Sequence, residues 1–109
     1  LDPGALKRLH EMAGGDDAFI REMVNTFLTD APTMLRELRE SLASGDAAVF
    51  RRVAHNLKSN SRDFGALELS ELSRRMEMMG KAGTFEGAER EISLAEAEYD
   101  RVSEALKRL

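Results

Sequence analysis

The two histidines of the sequence, His10 and His55, are the main candidates for chemistry, because the chain has no cysteine that could act as a nucleophile or thiolate ligand. They lie on segments that the sequence pattern predicts as different helices, and neither belongs to an HxxxH or ExxH pair. A metal site is therefore not predicted. The sequence also lacks a GxxxxGK phosphate loop, a GxGxxG motif and the protein kinase signatures. We expect no bound cofactor and no ATP-dependent activity.

His55 lies on a segment predicted to be helical from about Ala47 to Asp63. With about 100° per residue, four side chains project within about 40° of the imidazole: Ala48, Arg51, Ser59 and Arg62. Arg52 and Lys58 project within about 60° of it. The apolar side chains of this segment point the other way: Phe50, Val53, Leu57 and Phe64. The imidazole is therefore predicted to face solvent within a basic stripe, with the small side chains of Ala48 and Ser59 above and below it.

A histidine among charges on a helix surface is usually only solvated, so this pattern alone does not establish a function. The residue types nevertheless fit phosphoryl transfer. Free imidazole has a pKa of about 6.5 and is largely neutral near pH 7, which leaves one ring nitrogen able to accept a phosphoryl group. The group brings about two negative charges, which neighbouring lysine and arginine side chains can partly neutralise.

The elements that position this side chain are predicted to be helices throughout. Asp2 and Pro3 begin a short helix that ends at Gly14 and Gly15, and Asp16 or Asp17 caps a long helix that ends near Ser44. Pro32 lies inside the long helix, and we expect it to produce a kink near Phe27 and Leu28 without breaking the helix. A helix with Leu69, Leu72, Met76 and Met79 on its apolar face follows the His55 helix and is expected to end in the turn from Gly80 to Gly83. Thr84 is predicted to cap the last helix, whose apolar positions alternate steps of three and four residues.

This pattern predicts an all-α fold. Short connections between four long amphipathic helices favour an antiparallel four-helix bundle, with the short N-terminal helix over one end. The 109 residues are enough for one domain, residues 1–109, and no internal repeat is present. No strand pattern occurs.

Composition and charge exclude several functions. The net charge is -4, which argues against a general nucleic-acid binder, although basic side chains outnumber acidic ones by four to two between Asp46 and Gly65. No signal peptide or bilayer-spanning segment is predicted, and the absence of cysteine is typical of the reducing cytoplasm. Because the sequence begins with Leu1, we expect a processed product or a domain of a longer protein.

The residues around His55 resemble the core motif of histidine-containing phosphotransfer (HPt) domains, which act in multistep two-component signalling. The motif reads Ala54-His55-Asn56-Leu57-Lys58-Ser59-Asn60-Ser61, followed by Phe64-Gly65-Ala66. The resemblance extends over the whole chain, through the opening Leu-Asp-Pro, the Gly-Gly-Asp-Asp entry to the Pro-containing helix, the Ser-Gly-Asp turn and the helix after Gly83.

The resemblance implies a role for individual residues. His55 corresponds to the phosphoryl acceptor, and Lys58 to a lysine thought to stabilise the transferred group. Leu57 corresponds to a buried neighbour and Gly65 to the turn residue before the next helix. Many members have glycine where this chain has Ser59, and we expect the serine to tune transfer and not to abolish it. Asn60 and Ser61 are expected on the inner face, where their polar groups need backbone or cross-helix partners.

The implied function is a phosphoryl relay and not an enzyme. A receiver domain's phospho-aspartate would donate to His55, which would pass the group to another receiver's aspartate. The receivers of response regulators or a hybrid sensor kinase would supply Mg²⁺ and an acidic cluster, while this chain supplies the nucleophile and a cation. The basic stripe, with Arg51, Arg52 and Arg62 beside Ala48 and Ser59, is the predicted docking surface for the acidic receiver site. The chain is expected to act as a monomer, without nucleic acid or membrane insertion.

Two groups of apolar side chains outside the His55 helix have alternative interpretations. Phe19, Met23 and Phe27 recur every four residues and could cover the His55 helix, hold the N-terminal helix or contact a receiver; packing in the core is favoured. The three methionines of the fourth bundle helix are expected in or near the core: Met76, Met78 and Met79.

Two alternatives to the relay remain open. One is a degenerate bundle that only binds receivers, and the other is a structural bundle such as the dimerisation segment of a sensor kinase. Four bundle helices in one chain favour the monomeric domain over the second. We expect the relay to require that the ring of His55 is neither buried nor bonded to a neighbouring carboxylate.

Overall fold

The computed structural model describes residues 1–109 and contains five helices with no strand. The helices are α1 (Pro3–Met12), α2 (Asp17–Ser44), α3 (Ala47–Asp63), α4 (Leu67–Ala82) and α5 (Ala88–Lys107). In the bundle, α2 packs against α3 and α5, and α4 packs against the same two helices. The short helix α1 contacts α2 and α3. The predicted antiparallel four-helix bundle with an additional N-terminal helix is confirmed. None of the helices combines the length and the hydropathy that a bilayer crossing needs.

Aspartate caps begin the first three helices, as the sequence indicates. The carboxylates of Asp2, Asp16 and Asp46 each accept a hydrogen bond from a backbone N–H in the first turn of their helix, at distances of 3.0 to 3.2 Å. These bonds satisfy amide groups that have no partner within the helix. Asp46 also ends α2, because its own N–H donates to the Ser41 carbonyl across Gly45.

The predicted cap of the last helix is wrong. Thr84 is not the cap of α5, which begins at Ala88 after Gly87 and has no side-chain cap. The reason is that the Thr84 N–H donates to the Met79 carbonyl at 3.1 Å, which together with the left-handed Gly83 closes the end of α4. The helix α4 also runs through Gly80 to Ala82, whereas the sequence predicted a turn beginning at Gly80.

Pro32 lies within one continuous helix, as predicted, since α2 runs unbroken from Asp17 to Ser44. Proline has no N–H, so the carbonyl of Leu28 loses its helical partner. The hydroxyl of Tyr99 on α5 donates to this carbonyl at 3.2 Å. A side chain of the neighbouring helix thus satisfies the group that the proline leaves free.

The core is one cluster of buried side chains to which all five helices contribute. Aromatic rings join the layers: Phe27 of α2 lies with its ring centroid 5.2 Å from Phe64 and 6.1 Å from Tyr99. The start of the chain is attached to the turn between α3 and α4, where the Asp2 N–H donates to the Gly65 carbonyl at 2.8 Å. Gly65 has a φ of 71°, and a Cβ there would lie 2.6 Å from the Asp2 nitrogen, so this turn requires glycine.

Candidate functional site

His55 projects from the middle of α3 on the side away from the core. Its side chain is 55% exposed, whereas Phe50 and Leu57 of the same helix are fully buried. The period of α3 therefore separates a core face from a face that carries the imidazole. The predictions that the ring faces solvent and that Leu57 is its buried neighbour agree with this placement.

One nitrogen of the ring has a carboxylate partner. His55 Nδ1 lies 2.6 Å from Oε2 of Glu77 on α4. Partial burial alone would raise the pKa of Glu77, but hydrogen bonds from Lys58 and His55 outweigh it and hold that pKa below its usual value. The carboxylate is therefore ionised near neutral pH and can only accept, so Nδ1 carries the hydrogen. In the neutral ring, the lone pair is then on Nε2.

The expectation that the ring has no carboxylate partner is wrong, and so is its use as a condition for relay function. An imidazole has two nitrogens, and a hydrogen bond at one fixes the tautomer and the orientation of the other. Nε2 of His55 has no partner within the chain, and the ring remains more than half exposed. The carboxylate therefore orients the nucleophile without covering it.

Lys58 is bound to the same carboxylate. Its Nζ lies 2.6 Å from Glu77 Oε1, and its side chain is only 22% exposed. The carbonyl of Lys58 also accepts a hydrogen bond from Ser70 Oγ of α4 at 3.1 Å. The ammonium group therefore neutralises Glu77 in this state, instead of pointing freely toward the space beside Nε2.

Two arginines border the surface beside His55. A shallow depression of about 350 Å³ is bordered by Ala48, Arg51, Arg52, His55 and Glu77. Arg51 and Arg52 are exposed, and neither forms an ion pair within the chain. Three of the five predicted docking residues thus border the depression: Ala48, Arg51 and Arg52. The guanidinium groups of Arg51 and Arg52 can bind an incoming anion.

The other two predicted docking residues do not border the depression. Ser59 is partly buried one turn further along α3, and Arg62 is exposed near the end of the helix. Ser61 is fully buried, and its hydroxyl donates to the Leu57 carbonyl at 2.6 Å. This bond is the backbone partner that was expected for Ser61. Asn60 is partly exposed.

A close crossing of α3 and α4 brings Glu77 to His55. Gly80 is buried inside α4, and a Cβ at this position would lie 2.8 Å from the N, Cα and Cβ atoms of Arg51. The two helix backbones therefore touch one turn from the pair formed by Glu77 and His55. Glycine is a poor helix former, so its presence here is explained by the space that the crossing requires.

Sequence reasoning did not find Glu77. A signal was present, because α3 and α4 form a hairpin folded at Gly65 and positions at similar distances from the turn lie opposite each other. His55 precedes Gly65 by ten residues and Glu77 follows it by twelve. An acidic side chain on α4 at that distance is the one to expect beside the ring.

The apolar groups singled out in the sequence have mixed positions. Phe27 and Met76 are buried, and Met23 and Met79 pack against the core at partial exposure. Two expectations of core packing are wrong. Met78 is 54% exposed because it points away from the bundle, and Phe19 is 48% exposed at the start of α2.

Comparisons with known proteins agree with this geometry. The family model described as the Hpt domain matches residues 22–105. The crystal structure of histidine-containing phosphotransfer protein B (HptB) from Pseudomonas aeruginosa PAO1 is similar, with a TM-score of 0.91, 29% sequence identity and coverage of 99% of this chain and 91% of that chain. No curated protein matches the sequence. The chain belongs to the Hpt family of histidine-containing phosphotransfer domains.

Proposed function

We propose that His55 is the phosphoryl acceptor of this histidine phosphotransfer module and that Nε2 is its reacting atom. The module itself is a phosphoryl carrier and not an enzyme, and Hpt domains interact with the receiver domains of response regulators. The observation that carries the proposal is the exposed ring whose Nδ1 is bonded to Glu77. That bond leaves the lone pair on Nε2, which has no partner within the chain. An exposed ring with a free Nε2 argues against the alternative of a module that only binds receivers.

The transfer step follows from the geometry. The Nε2 lone pair attacks the phosphorus of the receiver's aspartyl phosphate, an N–P bond forms and the O–P bond to the aspartate carboxylate breaks. The ring becomes a cation that keeps its hydrogen on Nδ1. Glu77 accepts that hydrogen bond and stabilises the positive charge, as a carboxylate does for an imidazole in other sites. The reverse step returns the phosphoryl group to the aspartate of a second receiver.

The cations around the ring have separate roles in this proposal. Lys58 neutralises Glu77 and so reduces the repulsion between that carboxylate and the incoming phosphoryl oxygens. Arg51 and Arg52 border the depression beside His55 and are free to contact those oxygens. The arginines thus share the stabilising role that was first expected of Lys58 alone. A direct contact between Lys58 and the phosphoryl group stays a prediction.

The partner supplies the remaining chemistry. We propose that the receiver domain brings Mg²⁺ and its acidic cluster to the depression, because the chain offers no comparable group of acidic ligands around His55. An acidic receiver site is attracted to the arginines of α3. We further propose that the chain acts as a monomer in the cytoplasm.

The acceptor is tested by transfer from a receiver domain carrying a radiolabelled aspartyl phosphate. Label should pass to this chain in an acid-labile, alkali-stable form, and His55→Gln should abolish it. His10→Gln is the matched control, because His10 is the other histidine and is exposed on α1. Labelling that persists in His55→Gln would refute the assignment, and its loss in His10→Gln would identify His10 as the acceptor.

The cations are tested in the same assay. We expect Arg51→Ala and Arg52→Ala each to slow transfer by about three- to tenfold, in line with loss of one charge-assisted contact. Lys58→Ala should slow transfer as well, whereas Lys58→Arg, which keeps a cation beside Glu77, should retain most of the rate. An equal loss of rate in both variants would contradict the neutralising role of Lys58.

A further inference from the structure

A cleft lies at one end of the bundle, between α1, α2 and the last turn of α5, and has a volume of about 490 Å³. It is open because α1 packs on α2 and α3 and makes no contact with α5. Leu9 of α1 and Leu106 of α5 line it, together with Ile20 and Val24 of α2. Its volume is within the range of small-molecule sites, about 300–1,000 Å³.

The base of this cleft is apolar and incompletely covered. Leu9 and Leu106 are buried, whereas Leu6 of α1 and Leu28 of α2 line the same cleft and are only partly buried. Leu6 precedes Leu9 by one helical turn, so the core ends between these two side chains. An aliphatic group in the cleft would remove from water the apolar surface that the fold leaves uncovered there.

Two exposed cations line the cleft, Arg21 from α2 and Lys107 from α5. Arg21 forms no ion pair within the chain, and the nearest carboxylate to Lys107 is that of Glu104 on its own helix, at 4.0 Å. Asp17 also lines the cleft, but it lies in the first turn of α2, where the positive end of the helix offsets its charge. The cleft therefore favours an anion, whose charge-assisted bonds the two cations can supply.

The cleft is separate from the phosphotransfer site. No residue of α3 or α4 lines it, and none of its lining residues borders the depression beside His55. An inference about the cleft is therefore independent of the proposed function.

We propose that the cleft between α1, α2 and α5 binds an aliphatic carboxylate of medium chain length. The hydrocarbon chain lies against Leu6 and Leu28, and the carboxylate lies between Arg21 and Lys107. The leucines form the base of the cleft and the exposed cations its mouth, an order that matches one inserted amphiphile, with the apolar end inward and the charge outward. A flat lipid surface does not fit this order, because the apolar side chains lie below the charged ones.

The first test is binding of sodium hexanoate, octanoate and decanoate to the whole chain, measured by titration calorimetry. Each step adds two methylene groups, so Kd should fall by about five- to tenfold per step until the chain outgrows the cleft. Octanol, which has the same chain length as octanoate and no charge, should bind more weakly. A Kd that is equal for the three carboxylates, or equal for octanol and octanoate, would refute the proposal.

NMR with octanoate locates the ligand. Intermolecular cross-peaks should join the methylene protons of octanoate to the methyl groups of Leu6 and Leu28. Absence of both sets of cross-peaks at saturating octanoate would overturn the assignment. Wild type that sediments with vesicles of phosphatidylglycerol but gives no such cross-peaks would also overturn it, because a lipid surface would then be the occupant.

Variants separate the two halves of the site. Arg21→Ala and Lys107→Ala should each raise the Kd for octanoate by about two- to fivefold, the size expected for an exposed ion pair, and both side chains are exposed, so the fold should tolerate their loss. The matched controls are Arg36→Ala on α2 and Arg90→Ala on α5, which are exposed arginines of the same two helices outside the cleft and should leave Kd unchanged. An unchanged Kd in the double variant Arg21→Ala with Lys107→Ala would refute the role of the cations.

Discussion

Replacing Gly80 with alanine tests whether the crossing of α3 and α4 controls the reactive ring. The new Cβ would lie 2.8 Å from three atoms of Arg51, while carbon atoms in ordinary contact are about 3.5–4.0 Å apart. The helices must therefore separate locally by about 1 Å. A bond of 2.6 Å between His55 and Glu77, stretched by that amount, exceeds the range of a hydrogen bond.

The expected change in stability is small because two effects oppose each other. Overpacking costs about 1–3 kcal/mol, whereas alanine is better than glycine inside a helix by about 1 kcal/mol. We expect the free energy of unfolding to fall by about 0–2 kcal/mol. Transfer to His55 should be slowed by up to about tenfold because the nucleophile is no longer held in one tautomer and orientation.

Nitrogen-15 NMR of the histidine ring and urea unfolding measure the two effects separately. In the wild type, the neutral ring of His55 should carry its hydrogen on Nδ1, and in Gly80→Ala this preference should weaken. Gly4→Ala is the matched control: Gly4 is also helical, but a Cβ there meets nothing closer than 3.5 Å. A Gly80→Ala protein that keeps both the Nδ1–H tautomer and the wild-type transfer rate would refute the reasoning.

Three further predictions concern stability. Tyr99→Phe should lower the free energy of unfolding by about 1–2 kcal/mol by leaving the Leu28 carbonyl unpaired. Pro32→Ala should remove most of that penalty, because the alanine supplies an N–H to the same carbonyl. A double-mutant cycle in urea that shows no coupling between the two substitutions would contradict this. Asp46→Ala should cost about 1 kcal/mol by removing the cap of α3, and a loss below about 0.3 kcal/mol would count against that cap. The folded pKa of Glu77 is lowered, so its contribution to stability is present above the unfolded value of 4.5 and is lost as pH falls through the folded pKa; the stability difference between wild type and Glu77→Gln should shrink below pH 4.5, and a constant difference would refute the ionised pair.

Local signals in the sequence predicted most of the fold. The aspartate caps and the helical period of apolar residues each depend on a few neighbouring positions, so α3 could be bounded at Ala47 and Asp63 as the structure has it. The prediction that Thr84 caps α5 was wrong because the Thr84 amide closes the end of α4. A capping residue is recognisable only when the end of the previous helix is known. The partner of the Leu28 carbonyl could not be predicted either, since Tyr99 is far away in sequence.

The helical period alone predicted the site to the level of one helix. Periodicity placed His55 outward and Leu57 inward, because both positions depend only on the geometry of α3. The bonds from His55 and Lys58 to Glu77 depend on the distance between two helices, which Gly80 sets. Patterns along one chain segment carry no information about that distance.

The attachment of the chain's start to the turn at Gly65 has a consequence for hydrogen exchange. Amides near a chain end usually exchange within seconds, since terminal segments open freely. The Asp2 amide instead donates to a carbonyl in the hairpin that carries His55, so it should exchange only when α1 detaches from that hairpin. Its exchange rate is therefore a single-site reporter of how often the first helix leaves the bundle, measurable without any probe or label at the reactive ring.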